Sequence, residues 1–306
     1  MNILHDYKKE IFDLEKINAL AIKNPLKLIE DSEDFYHKQI NDIVNNIVTN
    51  GKYKFVLLAG PSSSGKTTTS NLICKELAEH GFESLVVSLD DFYLDLETRP
   101  RLPNGDYDLE NITALDLAYI NQFVDDMFTK GEALMPEYNF KTGKREEKYK
   151  NIKLNTNTIV IMEGIHALNP IMFKKHNEAM YRIYICVNSN FDYNDKIIMP
   201  AQKVRLMRRL IRDFLNRGAS FEHTFSMWQN VLNGEDLYIK PYKNTADYLI
   251  NSTHAYEPLM YAQKLLPLLE NEKNEQARPL IEMLKKCEKL STDLLPTNSL
   301  LHEFLD

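Results

Sequence analysis

One short segment of the chain has the residue types and the spacing to bind phosphate, G-x-x-x-x-G-K-[ST]. Its residues are Gly60, Pro61, Ser62, Ser63, Ser64, Gly65, Lys66 and Thr67, with Thr68 directly after them. Glycines at this spacing let backbone N–H groups close around the β- and γ-phosphates of a nucleoside triphosphate. Lys66 can bridge phosphate oxygens, and the Thr67 hydroxyl can ligate Mg²⁺. The segment therefore predicts a binding site for ATP or GTP, with Mg²⁺ as cofactor.

The sequence on both sides of this segment supports the interpretation. An apolar run over residues 54–59 precedes it and predicts a buried strand. Leu72, Ile73 and Leu77 follow at helical spacing, and Gly81 predicts the end of that helix. A strand, a glycine-rich loop and a helix form the context in which the motif binds phosphate. The alternative, a chance match in a turn rich in serine and glycine, does not explain the two flanks.

Carboxylates follow two other predicted strands. Asp90 and Asp91 come after the apolar run 85–89, and Glu163 comes after the run 158–162. Ligands of open α/β sheets bind at the carboxyl ends of the strands. Asp90 could accept the proton of an attacking hydroxyl, while Glu163, and also Asp90, could hold Mg²⁺. The alternatives are a solvated acidic turn for Asp90 and a helix cap or surface ion pair for Glu163.

Arginines recur along the predicted helix that begins near residue 202. Arg205, Arg209 and Arg212 are spaced i, i+4, i+7, so they share one helical face. Like charges on one stripe repel each other unless an anion lies nearby, and guanidinium groups suit phosphate. We expect residues 202–220 to form a lid that stabilises charge on the transferring phosphoryl group. The alternative is a solvated helix face that pairs with Asp213.

A second set of residues could hold the molecule that accepts the phosphoryl group. Tyr107, Tyr138 and Phe140 could stack on a flat base, and Asp108 could accept hydrogen bonds from a sugar diol. Most aromatic residues of a globular chain belong to its core, which is the alternative. His166 is also more often structural than catalytic in such a position.

Strands and helices alternate from residue 54 onward, which predicts an α/β fold with a mostly parallel sheet and helices on both faces. The predicted strands are 54–59, 85–89, 158–162, 181–187 and 248–250, and the predicted helices are 113–130 and 202–217. The polar, lysine-rich stretch 137–154 predicts a β-hairpin that turns at Gly143. The phosphate-binding domain is expected to span residues 51–254.

Helical appendages are expected on both sides of that domain, over residues 1–50 and 255–306. In the first, apolar residues from Tyr36 to Val48 recur at helical spacing, with Ser32 as a candidate N-cap. The second is helical in pattern and is interrupted by prolines. For the N-terminal appendage, packing against the core domain is the simpler interpretation, and a separate partner-binding role is the alternative.

The composition of the chain argues against several classes of protein, namely nucleic-acid binders, membrane proteins and proteins held together by disulfides or zinc. The chain has 306 residues and a net charge of −7, which argues against a general nucleic-acid or membrane-surface binder. Cys74, Cys186 and Cys287 are far apart, which favours reduced thiols over a disulfide frame or a zinc site. Without an apolar segment of about 18 residues, no membrane span is expected. We expect a cytoplasmic protein, and the sequence leaves open whether it forms a homo-oligomer.

The order of four blocks resembles the uridine kinase and phosphoribulokinase family of P-loop kinases. These blocks are the phosphate loop, the sequence SLDDFY at 88–93, the sequence EGIH at 163–166, and the arginine-rich stretch 205–218. The resemblance is to bacterial uridine kinase-like proteins, without the threonyl-tRNA synthetase-like N-terminal domains of their longer members. It covers about residues 54–252, and the stretch 295–304 resembles the family's tail.

The resemblance implies roles on the side of the phosphate donor. Asp90 matches the family's catalytic base, the aspartate two positions before phenylalanine in its S-x-D-x-F-Y block. Glu163 matches the acid near Mg²⁺. Arg212 and Arg217 match lid arginines that contact ATP.

The resemblance also implies roles on the acceptor side. Asp108 matches the acid that holds the ribose hydroxyls, and Tyr107 matches a pocket aromatic. Tyr138 and Phe140 match aromatics around the pyrimidine. Arg209 matches an arginine shared between ribose and phosphate, so it is expected to bind substrate and to act in catalysis with Asp90 and Lys66.

Two positions depart from the family pattern. Gly143 stands where uridine kinases place a base-reading histidine, which puts pyrimidine specificity in doubt because a lost base contact relaxes discrimination. Ala219 stands where a further lid arginine is expected, two residues after Arg217.

The sequence therefore predicts an ATP-dependent (or GTP-dependent) kinase that phosphorylates the 5′-hydroxyl of uridine or a related nucleoside. One alternative is a P-loop kinase of another small alcohol, such as a sugar phosphate, pantothenate or glycerate. A second is a nucleotide-binding regulatory module without acceptor chemistry. The intact Lys66, Thr67, Asp90 and Glu163 argue against that second alternative.

Overall fold

The structure is a computed structural model that describes residues 9–306 of the chain. Its strands are β1 (Glu10–Asp13), β2 (Phe55–Ala59), β3 (Glu83–Ser88), β4 (Glu132–Met135), β5 (Tyr138–Asn139), β6 (Lys144–Arg145), β7 (Lys150–Lys153), β8 (Thr158–Glu163), β9 (Met180–Cys186), β10 (Ser189–Tyr193), β11 (Lys196–Met199) and β12 (Tyr248–Asn251). Its α-helices are α1 (Leu14–Lys23), α2 (Pro25–Asn50), α3 (Lys66–Glu79), α4 (Leu117–Lys130), α5 (Ala201–Arg217), α6 (Phe221–Gly234), α7 (Glu257–Lys264), α8 (Leu266–Leu269), α9 (Ala277–Leu284) and α10 (His302–Leu305).

Five parallel strands form the central sheet, in the order β12-β9-β2-β8-β3. Along β2, Val56 and Leu58 pack into one hydrophobic cluster with α2, α3 and α5, while Phe55 and Leu57 pack into a second cluster with α4. Burial on both faces explains why β2 and β8 are continuous apolar runs. The predicted α/β fold, with a parallel sheet and helices on both faces, is confirmed.

Two predictions about this region were wrong in detail. The run 85–89 was expected to be a buried strand, but β3 lies at the edge of the sheet and only Val87 in it is buried. The helix expected from Thr113 begins at Leu117, because Asp116 caps it by accepting a hydrogen bond from the backbone N–H of Tyr119 at 3.0 Å.

The N-terminal region contains a strand that the helical prediction missed. β1 pairs in parallel with β10, which pairs with β11 in a separate three-stranded sheet. The helices after it break at Asn24, which caps α2 and is followed by Pro25 at the first helical position. Ser32 is therefore not an N-cap; it is buried inside α2 and its Oγ accepts a hydrogen bond from the backbone N–H of Ala255 at 2.8 Å. Residues 1–8 of the expected appendage lie outside the described residues.

The hairpin expected over 137–154 has two tiers and begins earlier. β4 pairs with β7, and the shorter β5 pairs with β6. Pairing starts at Glu132 because Gly131 ends α4 in the left-handed conformation and turns the chain directly into β4. Gly143 has φ of 70° and is the turn residue, as predicted. Its carbonyl accepts a hydrogen bond from the backbone N–H of Leu96 at 2.8 Å, which fixes the tip of the hairpin.

The C-terminal helices share one hydrophobic cluster with the N-terminal helices and the sheet. Leu300, Leu301, Phe304 and Leu305 are fully buried in it. Pro258 and Pro267 do not interrupt helices; each lies in the first turn of one, where a proline needs no N–H partner. Within residues 9–306, no helix is long and apolar enough to cross a membrane.

A buried ion pair joins α5 to α7. The Arg208 guanidinium donates to both carboxylate oxygens of Glu257, at 2.8 and 2.9 Å, and to the carbonyl of Ser252 at 2.6 Å. Both side chains of the pair are completely buried. A charge in that position is tolerated only while its partner is present.

Replacing Glu257 by glutamine should therefore destabilise the fold strongly. Glu257→Gln would leave the Arg208 charge buried without a counterion, and we expect the free energy of unfolding to fall by about 3–5 kcal/mol. Urea denaturation measures the change, with Glu282→Gln on the exposed face of α9 as the control. A loss similar to that of the control would show that the pair is not a structural tie.

Candidate active site

The phosphate loop leaves the central strand β2 and enters α3. Gly65 has φ of 94°, and a Cβ there would lie 2.3 Å from Leu300 Cδ1. A Cβ on Gly60 would lie 2.2 Å from the carbonyl oxygen of Ile185. Both positions therefore require glycine. The Lys66 ammonium donates to the carbonyls of Gly60 and Pro61, at 3.0 and 3.3 Å, which folds it over the loop.

The first turn of α3 brings Thr67 and Thr68 to the mouth of the loop. Thr67 is exposed, so its hydroxyl is accessible to a ligand. N–H groups at a helix N-terminus have no partner within the helix and favour anions. The Thr68 N–H and hydroxyl both donate to Glu303 Oε2, at 3.1 and 2.8 Å.

A cavity of about 230 Å³ lies above the loop. Its lining residues are Ser62, Ser63, Lys66, Thr67, Asp90, Tyr93, Leu109, Glu110, Glu163, Gly164, Ile165, Arg209, Arg212, Arg217 and Glu303. The structure thus brings together the predicted base, the predicted magnesium acid and three of the predicted arginines. Four carboxylates and four cations face one another in this set, so the site combines anion-binding groups with proton acceptors.

Asp90 is positioned by the end of β3, where the chain enters a short 3-10 helix. Its backbone N–H donates to Ser88 Oγ at 3.3 Å, which caps that turn. Asp90 is exposed to solvent through the open cavity, although the surrounding walls bring many protein atoms close to it. Desolvation by the surrounding protein raises the pKa of Asp90, and the charges of Lys66 and Arg217 oppose that rise. A raised pKa makes the carboxylate a stronger base for an incoming hydroxyl.

Glu163 is the last residue of β8, next to β3 in the sheet. Ser88 Oγ donates to its Oε1 at 3.1 Å. Burial raises the pKa of Glu163, and the charge of Lys66 opposes the rise. Residues 9–306 contain no group of three or more histidine, cysteine or acidic side chains that could hold a metal by themselves.

The arginines of α5 divide into two sets. Arg209, Arg212 and Arg217 line the cavity and surround the buried carboxylate of Asp213, with shortest N···O distances of 3.3, 2.8 and 3.7 Å. Arg209 also donates to Ser62 Oγ at 3.1 Å. Asp213 therefore holds three guanidinium groups together beside the phosphate loop, which offsets their mutual repulsion.

Arg205 belongs to the second set and faces the back of the loop. Its Nε donates to the carbonyl of Ser62 at 3.1 Å, and its Nη1 pairs with buried Glu235 at 2.6 Å. Arg205 and Arg208 thus support the loop from behind. Much of α5 is packed in the core through apolar residues from Val204 to Ile211, so only part of the expected lid 202–220 faces the cavity.

Of the predicted acceptor-side residues, Arg209 lines this cavity, whereas Tyr107, Asp108, Tyr138 and Phe140 lie beyond its lining. The guanidinium of Arg101 lies 4.0 Å from the centroid of the Tyr107 ring. The same guanidinium donates a hydrogen bond to the Tyr107 hydroxyl at 2.7 Å. Asp108 Oδ2 accepts from Asn111 Nδ2 at 3.1 Å. Sequence reasoning placed both side chains against a ligand, but in the structure they bond to neighbouring side chains of their own loop.

Tyr138 and Phe140 lie on the hairpin. Tyr138 is buried and packs edge-on against Tyr93, with ring centroids 5.8 Å apart, while Phe140 is 67% exposed. The guanidinium of Arg99 lies over both tyrosine rings, 4.1 Å from Tyr93 and 4.6 Å from Tyr138. On this side it is therefore Tyr93, rather than Tyr138 or Phe140, that reaches the cavity.

Glu110 is a cavity residue that sequence reasoning missed. Desolvation raises its pKa to about 7, and Arg209 and Lys66 oppose that rise. Its Oε2 is buried without a hydrogen-bond partner among the described residues. Glu110 follows Asp108 by two positions in the same loop, so the only signal was proximity in sequence. His166 packs nearby, and burial lowers its pKa to about 4, so it is an uncharged imidazole at neutral pH.

Other missed residues had clearer signals. Asp213 lies among the arginines at helical spacing, so the sequence could have shown that it is their common partner. The sequence analysis named it only in the alternative interpretation, as the partner of a solvated helix face. Glu303 lies within the stretch 295–304 that resembles the family's tail, but nothing in the sequence places that stretch beside Thr68. Ser63 Oγ and Ser64 Oγ in the loop are also buried without a hydrogen-bond partner among residues 9–306, as expected of a site for a polar ligand.

Glu110 should make stability depend on pH. Its pKa in the folded protein lies above its ordinary value, so between about pH 4.5 and 7 the folded state binds its proton more tightly and stability falls as pH rises. Glu110→Gln cannot ionise. Relative to the native protein it should gain on the order of 2 kcal/mol in unfolding free energy between about pH 5 and pH 8. Urea denaturation at both pH values measures this, and a difference that does not change with pH would refute the assignment.

Comparison with known proteins places the chain among kinases. The sequence model of the Phosphoribulokinase / Uridine kinase family matches residues 55–257. Uridine-cytidine kinase B of Dictyostelium discoideum is 26% identical over 208 residues, which cover 67% of this chain and 78% of the relative. Uridine kinase of Halobacterium salinarum is 25% identical over 194 residues, which cover 63% and 77%. Uridine kinase of Saccharomyces cerevisiae is 26% identical over 251 residues, which cover 80% of this chain but 46% of the relative.

Among solved structures, a protein of Silicibacter sp. TM1040 described as a candidate fructose transport system kinase has a TM-score of 0.50 at 17% identity. The alignment covers 69% of this chain and 98% of that protein. At this identity the likeness concerns the fold alone. The family match extends over more than half of the chain and includes the phosphate loop and the acids beside it, so the chain belongs to the Phosphoribulokinase / Uridine kinase family and is a kinase with the P-loop fold.

Proposed function

We propose that the protein transfers the terminal phosphoryl group of ATP to the 5′-hydroxyl of uridine or a related nucleoside, with GTP as an alternative donor. The observation that carries this proposal is that Asp90 and Lys66 line the same cavity at the carboxyl edge of the sheet. A phosphate loop alone binds a triphosphate. A carboxylate beside it, with its pKa raised, supplies the base that transfer to an alcohol requires.

In this proposal Asp90 accepts the proton of the attacking hydroxyl. Lys66, Arg209, Arg212 and Arg217 stabilise the negative charge that develops on the transferring group. Because phosphoryl transfer needs little covalent chemistry from the protein, these groups act by position and charge. Their convergence in one cavity supports such a role.

Mg²⁺ would be held by the Thr67 hydroxyl and by Glu163, with Asp90 as a further candidate ligand. All three contribute hard oxygen donors to the same cavity, which suits this ion. When bound, Mg²⁺ neutralises charge on the phosphates. The buried position of Glu163, fixed by Ser88, keeps its carboxylate oriented for that purpose.

The nucleoside acceptor is supported by the names of the relatives, which are uridine and uridine-cytidine kinases. Arg209, which donates to the loop serine Ser62, remains the candidate for contact with both acceptor and phosphate. Asp108 and Tyr107 remain predicted ligands. Glu110 and Tyr93 join them on the acceptor side because both line the cavity.

A second candidate is a kinase of another small alcohol, and the geometry of Gly143 favours it. Gly143 has φ of 70°, and a Cβ at this position would lie only 3.1 Å from Leu96 Cβ. The position is therefore unsuited to the histidine that uridine kinases place there. The tip of the hairpin therefore lacks one base-reading contact. Sugar phosphates, pantothenate and glycerate are the acceptors to compare with nucleosides.

Asp90→Asn should separate binding from chemistry. We expect near-native ATP binding and a decrease in kcat of about 10²-fold or more, since an amide cannot accept the proton. The matched control is Asp91→Asn, because Asp91 lies outside the cavity lining and accepts a hydrogen bond from the Tyr138 N–H, which an amide oxygen can still do. Steady-state kinetics with calorimetric ATP titration give both quantities. Near-native turnover of Asp90→Asn would remove Asp90 from the mechanism.

A panel of acceptors tests the substrate class. Uridine, cytidine, a pentose phosphate, pantothenate and glycerate are each incubated with ATP and Mg²⁺, and ADP release is followed. We expect turnover above background with a nucleoside, because the relatives act on that class by name. Nucleosides at background together with turnover of another alcohol would establish the second candidate instead.

A further inference from the structure

The C-terminal segment 295–306 places a carboxylate in the phosphate site. Glu303 Oε2 accepts hydrogen bonds from both the backbone N–H and the hydroxyl of Thr68. Thr68 is the third residue of α3, in the turn whose free N–H groups attract anions. The carboxylate therefore occupies a hydrogen-bond donor of the phosphate-binding helix, and it also lines the cavity beside Lys66.

The backbone of this segment is firmly held. Leu300 packs so closely on the loop that Gly65 has no room for a Cβ. The Phe304 ring lies 5.0 Å from the guanidinium of Arg208, and the Leu305 carbonyl accepts a hydrogen bond from Lys264. Leu300, Phe304 and Leu305 are fully buried, whereas Glu303 is only half-buried. The carboxylate can therefore turn aside by side-chain rotation while the segment stays in place.

We propose that Glu303 competes with the phosphates of the donor nucleotide. Its carboxylate accepts the hydrogen bonds of the Thr68 N–H and hydroxyl before the nucleotide binds, and the nucleotide must displace it. The inference rests on the proposed function, in which a nucleoside triphosphate binds this loop. A carboxylate presents the same kind of charged oxygen acceptor as a phosphate, so both compete for the same N–H group. Glu303 thereby sets the affinity for the donor without taking part in the reaction.

Charge explains why Glu303 opposes the nucleotide rather than assisting it. Asp213 already pairs with three of the four cations of the cavity, and Asp90, Glu163 and Glu303 add further carboxylates to its lining. A triphosphate adds several negative charges, and like charges at contact distance repel one another even where water partly screens them. Asp90 and Glu163 have roles with acceptor and Mg²⁺. Glu303 instead bonds to a donor that phosphate itself can use.

Glu303→Gln tests the proposal by removing the charge and keeping the shape. ATP and ADP binding are measured by calorimetry for the native protein and the variant, at low and high salt. We expect the variant to bind both nucleotides about tenfold more tightly at low salt, and the gain to shrink as salt screens the repulsion. Asp306→Asn is the matched control, because it removes the same charge three residues away, where the exposed Asp306 follows α10 and pairs with His302.

Thermal unfolding without nucleotide separates this role from a merely structural one. Loss of the charge-assisted hydrogen bonds to Thr68 should lower Tm by about 2–4 °C. The proposal thus predicts opposite signs, a lower Tm together with a higher nucleotide affinity. If both fall, Glu303 is a structural residue or a nucleotide ligand, and the proposal is wrong.

The two proposals fail in different ways. If the native protein and the variant both bind no nucleotide, the proposed function is wrong and this inference falls with it. If the native protein binds ATP and Glu303→Gln binds it equally well or more weakly, only the inference is wrong. Tighter binding by the variant with an unchanged Asp306→Asn control supports both.

Discussion

The phosphate loop is held from behind through the carbonyl oxygens of Ser62, Ser63 and Ser64. Two buried arginines do this: Arg205 donates to the carbonyl of Ser62, and Arg208 Nη1 lies 3.5 Å from the next two carbonyls. Each guanidinium is neutralised by a buried acid, Glu235 for Arg205 and Glu257 for Arg208. A buried charge without such a partner would be strongly unfavourable. The loop geometry therefore depends on residues far along the chain, after α6 and at the start of α7.

The same helix serves both sides of the loop. On α5, Arg205 and Arg208 face the interior, while Arg209 and the arginines after it face the cavity and gather around Asp213. Because each of these arginines pairs with an acid, their mutual repulsion does not destabilise the helix. Some of them support the loop, and the rest line the cavity beside Lys66 as a row of cations. In the proposed function, helix α5 therefore contributes both to the stability of the loop and to the binding of the phosphoryl group.

The acidic residues that line the cavity offset the positive charge of these arginines, and each acid lies in a different environment. Asp90 meets the open cavity, Glu163 is buried and bonded to Ser88, and Glu110 is desolvated enough for its pKa to rise to about 7. In the proposed function, these different environments suit similar carboxylates to different roles: Asp90 to proton acceptance, Glu163 to metal binding and Glu110 to the wall of the pocket. Glu303 differs from the other three acids because it lies in the C-terminal helix α10 and accepts a hydrogen bond from Thr68, in the helix that follows the phosphate loop.

The phosphate loop, the parallel sheet and the position of Asp90 and Glu163 could all be predicted from the sequence. Those predictions rest on local spacing, and parallel strands end at one edge of a sheet, so acids after β3 and β8 had to lie beside a loop after β2. The folded structure was needed to show which arginines face the site, that Glu110 rather than Asp108 lines the cavity, and that Glu303 reaches Thr68 from 235 positions away in the chain. The physical reason is that spacing fixes a residue's place on its own strand or helix. Contacts between distant elements depend on how buried surfaces and buried charges are satisfied together.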